Sequence, residues 1–326
     1  GANVISMKIF LADGTISETS PTHNSELFNA VIGGMGLLGV VVEVTLQLIK
    51  IPSYMIESRS KRTSDFKSMI KTMENLSEKE ISFCYAWTDA FSQNSSFGRS
   101  IVKSAEFIEN INNCSQQQFS KGLTEKKRIG FLPPAYFWKL FSIVESQTMF
   151  KVVNQLRYYS LANESRSQKT FPEYQYPMVK HFPRWNLKYV PKGFHEIQPL
   201  FSFENFEPAF IKMMEICRQY RCLPQICSIR KHKAEPYYLS FSASGISFTI
   251  NYPLKTFSHE TAQELCRKLI AVVLHYKGKI YLGKFPFITA SECREMYPAY
   301  DKFLQIKNIV DSNKLFASEA SLRLFE

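Results

Sequence analysis

Apolar and polar positions roughly alternate through residues 4–11, the two-residue period of a half-buried strand. Ala12-Asp13-Gly14-Thr15 then supplies a tight turn, and residues 16–19 read as the returning strand of a hairpin. Ser20-Pro21-Thr22 introduces a short helix through about 27–31, closed by Gly33-Gly34. After Gly39 the run Val40 to Leu48 is the clearest strand in the chain, because its β-branched density suits a pleated surface.

Beyond Pro52 the pattern changes. Residues 63–77 read as a helix, and residues 81–87 as a strand ending near a functional loop. Residues 92–134 are polar and show no usable period, while residues 149–159 read as strand-like. The period of a helix returns over 201–221, with Phe206, Phe210, Met213, Met214 and Cys217 near one face. Residues 246–252 form another predicted strand. A helix over 258–275 carries Ala262, Leu265, Leu269, Val272 and Val273 on its apolar face, and Gly278 ends it before a short strand at 279–282. The final predicted helix covers 300–310; a turn at 311–314 follows, and Leu315-Phe316 is expected to pack. Hairpins mixed with helix–strand pairs predict an α+β protein rather than a parallel nucleotide fold. There is no internal repeat.

A chain of 326 residues can bury a large core and hold two domains. Its 27 Phe and 16 Tyr suit either a sheet-rich core, the plainer reading, or a broad apolar pocket. The net charge of +11 favours phosphate groups, an anionic membrane or nucleic acid. The basic residues are scattered, however, with local groups at 125–128 and 230–233 and no zinc-finger or helix-turn-helix spacing, so nucleic acid is not an expected partner. Seven cysteines, an odd number in a long chain, argue against a disulfide scaffold, and Cys217, Cys222 and Cys227 read as core thiols. His181, His195 and His232 are separated and make no metal constellation, and serine-hydrolase and Cys-His protease patterns are absent. No apolar run approaches the roughly 20 residues of a membrane-spanning helix. No signal peptide is expected, and the expected location is cytoplasmic, with peripheral association at an inner membrane as an alternative. The chain opens Gly1-Ala2-Asn3-Val4 without Met and enters a strand at once, which suggests a truncation, a processed product or an incomplete record.

Three regions together resemble the FAD-linked oxidases. The first joins Ala12-Asp13-Gly14, Glu26-Leu27-Phe28 and Gly33-Gly34-Met35-Gly36-Leu37-Leu38-Gly39-Val40. The second is Ala86-Trp87-Thr88-Asp89-Ala90 with Gly98-Arg99. The third is Tyr281-Leu282-Gly283-Lys284, Thr289-Ala290, Met296-Tyr297-Pro298, Phe316-Ala317-Ser318 and Leu322-Arg323-Leu324. The second and third narrow the likeness to the decaprenylphosphoryl-ribose 2'-oxidase family, with Pro191-Lys192-Gly193-Phe194 and Asn251-Tyr252-Pro253-Leu254-Lys255 between them in order.

The resemblance implies a partial FAD-binding domain split around a substrate domain that has an antiparallel sheet and flanking helices. Residues 1–50 would be the second part of the FAD domain, 51–278 the substrate domain, and 279–326 the return to the FAD domain. It implies non-covalent FAD, with backbone contacts at Gly34, Gly36, Gly39 and Val40. Members of the family carry a further stretch ahead of the position of Gly1, which supplies the pyrophosphate loops and residues beside the flavin. A separate N-terminal flavin-domain chain is therefore an expected partner, and without it FAD would bind weakly.

The resemblance also implies site residues. Lys284, read alone a surface lysine after a strand, matches the family lysine near the flavin and the reacting sugar carbon, and Tyr281 an aromatic beside it. Gln198 matches a pocket glutamine, whereas Glu196 stands where the family has another glutamine, a change that disfavours a nearby phosphate. Either Arg230 or Lys231 occupies the place of a substrate-binding lysine, and either could equally be a solvated cation. Ser247 replaces an asparagine and Thr249 a cysteine; at i and i+2 on one strand they would share a face. Tyr176 and Trp185, with Tyr174 and Gln175, would form a lid over the substrate or pack beneath a loop. The implied activity is FAD-dependent oxidation of a secondary sugar hydroxyl, at C2' of a polyprenyl-phosphate-linked ribose, with a quinone or other final acceptor. An aldonolactone or other sugar oxidase, and an inactive fragment or one chain of a split flavoenzyme, are the alternatives.

Overall fold

The computed structural model describes residues 1–76, 84–109, 126–176, 182–254, 257–284 and 287–325. Strand β1 (Val4–Phe10) pairs antiparallel with β2 (Ile16–Thr19) and with β3 (Val40–Leu46), giving a three-stranded sheet in the order β2-β1-β3. Helix α1 (Ser25–Val31) lies between β2 and β3 in sequence and buries Leu27, Phe28 and Ala30. The backbone passes tightly at Gly39: φ is 146°, and a Cβ there would stand 2.5 Å from the Phe10 carbonyl oxygen.

An eight-stranded antiparallel sheet holds most of the remaining strands, in the order β13-β9-β11-β10-β5-β6-β4-β7. These are β4 (Met55–Thr63), β5 (Tyr85–Thr88), β6 (Ser100–Phe107), β7 (Glu164–Thr170), β9 (Pro199–Phe201), β10 (Cys227–His232), β11 (Gly245–Phe248) and β13 (Lys279–Ile280). Strands β8 (Phe194–Ile197) and β12 (Ile250–Pro253) form a separate antiparallel pair. The fold is α+β, as the element pattern predicts.

One face of the large sheet is covered by α2 (Phe66–Glu74), α6 (Phe203–Gln219) and α7 (His259–His275), whose apolar stripes meet it. Phe206, Phe210, Met213 and Met214 of α6 are fully buried, and Phe210 packs on Phe248 with ring centres 4.7 Å apart and on Phe66 at 4.8 Å. Asp65 begins α2 by accepting the Ser68 backbone N–H at 2.8 Å. Cys217, Cys222 and Cys227 are buried free thiols, as expected, and burial pushes the Cys227 thiol up. Cys114 and residues 81–83 of the predicted 81–87 strand lie outside the described residues.

The structure corrects several expectations. Residues 149–159 are not a strand but belong to helix α4 (Gln147–Ser160), which follows α3 (Pro134–Val144). The strand-like composition around Val152-Val153 and Tyr158-Tyr159 is overruled by a cap and by packing. Ser146 accepts the Met149 N–H at 3.1 Å, and the guanidinium groups of Arg62 and Arg99 stand 5.2 and 4.9 Å from the Tyr158 ring centre. The helix predicted from residue 63 starts at Phe66, because Thr63 still pairs with Ser100 in the sheet. The strand predicted over 246–252 breaks at Thr249, where the chain leaves one sheet for the other. After α5 (Phe171–Gln175), α8 (Ala290–Met296) and α9 (Tyr300–Val310), a further helix α10 (Glu319–Phe325) follows the one expected to be last, and Leu315 is exposed rather than packed.

Strand β3 stands apart. Every one of its residues is exposed, including Val40, Val42, Val44 and Leu46 at 44–53%, and it is an outer strand of its sheet.

Candidate active site

The predicted site residues gather where strands change sheets. Gln198 is the single residue between β8 and β9, and Thr249 the single residue between β11 and β12. Ser247 pairs with Leu200 on one side of this corner and Ile250 with Ile197 on the other, so Gln198 and Thr249 sit at the bend together. The Gln198 side-chain amide donates to Ser247 Oγ at 3.4 Å, and the Gln198 carbonyl accepts the Tyr281 N–H at 3.0 Å. Ser247 is 1% exposed, and its hydroxyl also meets His232 Nε2 at 2.8 Å; His232 Nδ1 faces Ser242 Oγ at 3.4 Å. Burial holds the His232 imidazole below its ordinary value; Arg230 adds to the effect and Glu235 opposes it. Around pH 7 the ring is then neutral, one nitrogen donating and the other accepting.

Lys284 extends this cluster. Its ammonium forms an ion pair with Glu196, whose side chain is 17% exposed against 39% for the lysine. The backbone turns there, Lys284 N–H donating to the Tyr281 carbonyl at 3.2 Å, and the Tyr281 ring packs on Phe241 at 5.5 Å. Glu196 lies opposite Asn251, whose Oδ1 is buried without a hydrogen-bond partner among the described residues. Asn251 also lines a cleft of about 250 Å³ bounded by Glu145, Gln225, Pro253 and Phe257. Lysine, glutamine, serine and histidine at one corner offer donors to a polyol, and Glu196 offers an acceptor.

Arg230 and Lys231 separate. Arg230 is exposed and pairs across the ladder with Ser247, which puts it on the face that carries His232 two positions on. Lys231 points the other way, its ammonium 5.6 Å from the Phe203 ring centre. Thr249 does not continue the ladder of Ser247. Trp185 packs with Tyr189 and Phe194 at 6.0 and 5.8 Å, an aromatic cluster within 185–194, whereas Tyr176 is exposed at the end of α5.

Among the glycines, Gly34 and Gly39 are accounted for by packing inside the chain, since a Cβ would meet Ala30 O at 2.4 Å and Phe10 O at 2.5 Å. Gly36, with φ 74° and nothing within 4 Å, and Val40, 51% exposed, remain open to an outside group.

Thr88-Asp89 and Arg99 of the second motif brace the fold. Asp89 accepts from Arg99 Nε at 2.9 Å and Nη2 at 2.5 Å, and from the Phe91 N–H at 3.0 Å, all buried. Thr88 and Ser100 hydroxyls meet at 2.7 Å beside them. Sequence reasoning missed His232 as part of the site. The available signal was its i+2 relation to Arg230 on a strand.

No family model matches the chain. The chain is 24% identical to decaprenylphosphoryl-beta-D-ribose oxidase of Mycolicibacterium smegmatis over 328 residues, 99% of this chain and 69% of that protein. Cytokinin dehydrogenase 1 of Arabidopsis thaliana is 30% identical over 116 residues, 31% of this chain and 20% of that protein. D-arabinono-1,4-lactone oxidase of Yarrowia lipolytica is 33% identical over 73 residues, 22% of this chain and 13% of that protein. All three are FAD-linked oxidase family members, and this chain is a relative of theirs.

Proposed function

We propose that the chain is the substrate-binding and partial flavin-binding portion of an FAD-dependent oxidoreductase that oxidises a secondary sugar hydroxyl, with a polyprenyl-phosphate-linked ribose at C2' as its substrate. The observation that carries this is the Lys284–Glu196 pair beside the Gln198–Ser247–His232 chain. Non-covalent FAD, when bound, supplies the hydride acceptor. Lys284 donates to the reacting hydroxyl oxygen and steadies the charge that develops on it. Glu196 orients the ammonium and takes the proton that the reacting hydroxyl gives up as its carbon loses the hydride. Gln198, held by Ser247, fixes the ring, while Arg230 on the same sheet face attracts an anionic substituent. Residues 1–50 and 279–326 form the flavin side and 51–278 the substrate side. Gly36 and Val40 contact the cofactor by their backbone, and the bare faces of β3 receive further flavin-domain polypeptide.

A second reading, an aldonolactone or other sugar oxidase, draws on Glu196, because a carboxylate at the pocket disfavours a phosphate close to the reacting carbon. A third, an inactive fragment or one chain of a split flavoenzyme, draws on the uncovered β3.

The test is the visible spectrum of the chain after FAD is added and unbound cofactor removed, followed by anaerobic addition of candidate sugars. Retained flavin bleached by a phosphate-linked pentose, and no longer bleached in Lys284→Met, is the expected result. Bleaching by an aldonolactone alone selects the second reading, and a folded, colourless protein the third.

A further inference from the structure

Away from the Lys284 corner, the face of the large sheet opposite α2, α6 and α7 carries a second group of donors. Lys103 on β6 lies directly opposite Tyr85 on β5, with its ammonium 6.0 Å from that ring centre. Arg157, reaching over from α4, holds its guanidinium carbon 4.7 Å above the ring of Trp87, two residues along β5 on the same face. Trp87 is 2% exposed, and its indole N–H is buried with no acceptor among the described residues. Neither Lys103 nor Arg157 forms an ion pair with a described carboxylate. The register continues from Ile229 opposite Ala86 to Arg230 beside Tyr85, and Arg230 pairs in turn with Ser247. Lys103, Tyr85, Arg230 and Ser247 therefore form one row across four strands, about 14 Å long at the usual strand spacing of roughly 4.8 Å.

We propose that Lys103, Arg157 and the indole N–H of Trp87 form a binding subsite for a phosphate-ester anion. The three groups are an ammonium, a guanidinium and an N–H, set against the rings of Tyr85 and Trp87. A buried donor without an acceptor is costly, and two neighbouring cations without a counter-charge are costlier still. Separate oxygens of one phosphate can accept from the three donors, and the planar guanidinium can take two of them together. Burial, with Arg157 and Lys169 nearby, lowers Lys103 to about 8, the response of a cation lacking its anion. Tyr85 from β5, Arg157 from α4 and Lys169 from β7 are the titratable groups that face it, and Ser60 of β4 is its neighbour across the ladder. The subsite does not depend on sugar oxidation, and its occupancy is measured without flavin.

The experiment is calorimetric titration of the full chain with inorganic pyrophosphate, comparing wild type with Lys103→Gln, Arg157→Gln and Lys103→Arg, each checked for native circular dichroism. Lys103→Gln and Arg157→Gln are expected to weaken binding at least about tenfold, and Lys103→Arg to restore it to within about threefold. Wild-type affinity should fall as pH rises through 8, and the Lys103→Arg protein should lack that fall because arginine keeps its charge. Vesicles containing phosphatidic acid separate the two sources of phosphate. Vesicle binding weakened by the same substitutions assigns the site to a lipid-borne phosphate, and pyrophosphate binding without vesicle binding assigns it to a free ester. No heat of binding up to about 10 mM pyrophosphate, or an affinity that neither glutamine substitution changes in a folded protein, would overturn the assignment.

Discussion

Lys103 gives the most direct check on the electrostatics of the sheet face that carries Tyr85 and Trp87. An ordinary lysine titrates near 10.5, whereas burial and the neighbouring cations hold this one to about 8. Each pH unit of that difference corresponds to about 1.4 kcal/mol, so the charged form costs the native state at most about 3.5 kcal/mol at pH 7. Part of this is relieved by the solvent that still reaches the side chain, and about 1–2 kcal/mol is the expected remainder. The sign follows from proton binding. Between pH 8 and 10.5 the unfolded chain keeps a proton that the native protein has released, so the lysine's penalty is complete below pH 8 and disappears as pH rises to 10.5. Lys103→Met keeps the stem against Tyr85 and deletes the ammonium. The variant should be about 1–2 kcal/mol more stable than wild type at pH 7, with the advantage vanishing toward pH 10.5. Urea unfolding of both proteins at a series of pH values between 7 and 10.5 measures this. The raised thiols, such as Cys266 at about 11 and Cys293 at about 12, act in the opposite direction but are common to both proteins and cancel in the difference. A stability difference that stays constant across this range, or a wild type that is the more stable at pH 7, would mean that the Lys103 ammonium carries no burial penalty.

Other perturbations test the fold. Asp89→Ala strands the buried Arg99 guanidinium and should cost about 3–5 kcal/mol in urea unfolding, whereas Lys8→Ala, which breaks exposed pairs with Glu18 and Glu43, should be nearly silent. Phe248→Ala empties the junction of Phe201, Phe206 and Phe210 and should cost about 3–5 kcal/mol, read from the shift in denaturation midpoint. Gly39→Ala forces a Cβ against the Phe10 carbonyl and should destabilise by more than about 2 kcal/mol, while Gly36→Ala, which meets nothing, should cost no more than about 1 kcal/mol by the same measure. On β3, Val42→Lys should leave the unfolding midpoint of the isolated chain almost unchanged, because that side chain is already 53% exposed.

Local pattern carried much of the architecture. The β1–β2 hairpin follows from alternation and the Asp13-Gly14 turn, and α6 and α7 from apolar stripes with serine caps at Ser202 and Ser258. Periodicity was silent at β4, whose Glu57, Ser58, Arg59 and Ser60 give neither face an apolar stripe. Its place between β6 and β7 is set by cross-strand pairing and by Arg59 reaching Glu57 and Glu106. At α4, local composition pointed to a strand, and a cap with two arginine–tyrosine contacts, from Arg62 on β4 and from Arg99 just ahead of β6, decided otherwise.

Residue order carries the class of fold, the helices that cover the sheet, and, through family likeness, Lys284, Tyr281, Gln198 and Ser247 as residues to watch. The tertiary structure alone decided that Glu196 pairs with Lys284, that His232 meets Ser247, that Thr249 is a bend and not a ladder position, and that Lys103, Arg157 and Trp87 form one group. The reason is range. A helix stripe or a hairpin turn is written in residues a few positions apart, where the backbone enforces the spacing. Arg157 and Trp87 are brought together only when α4 docks on a sheet whose strand order differs from the order in the chain.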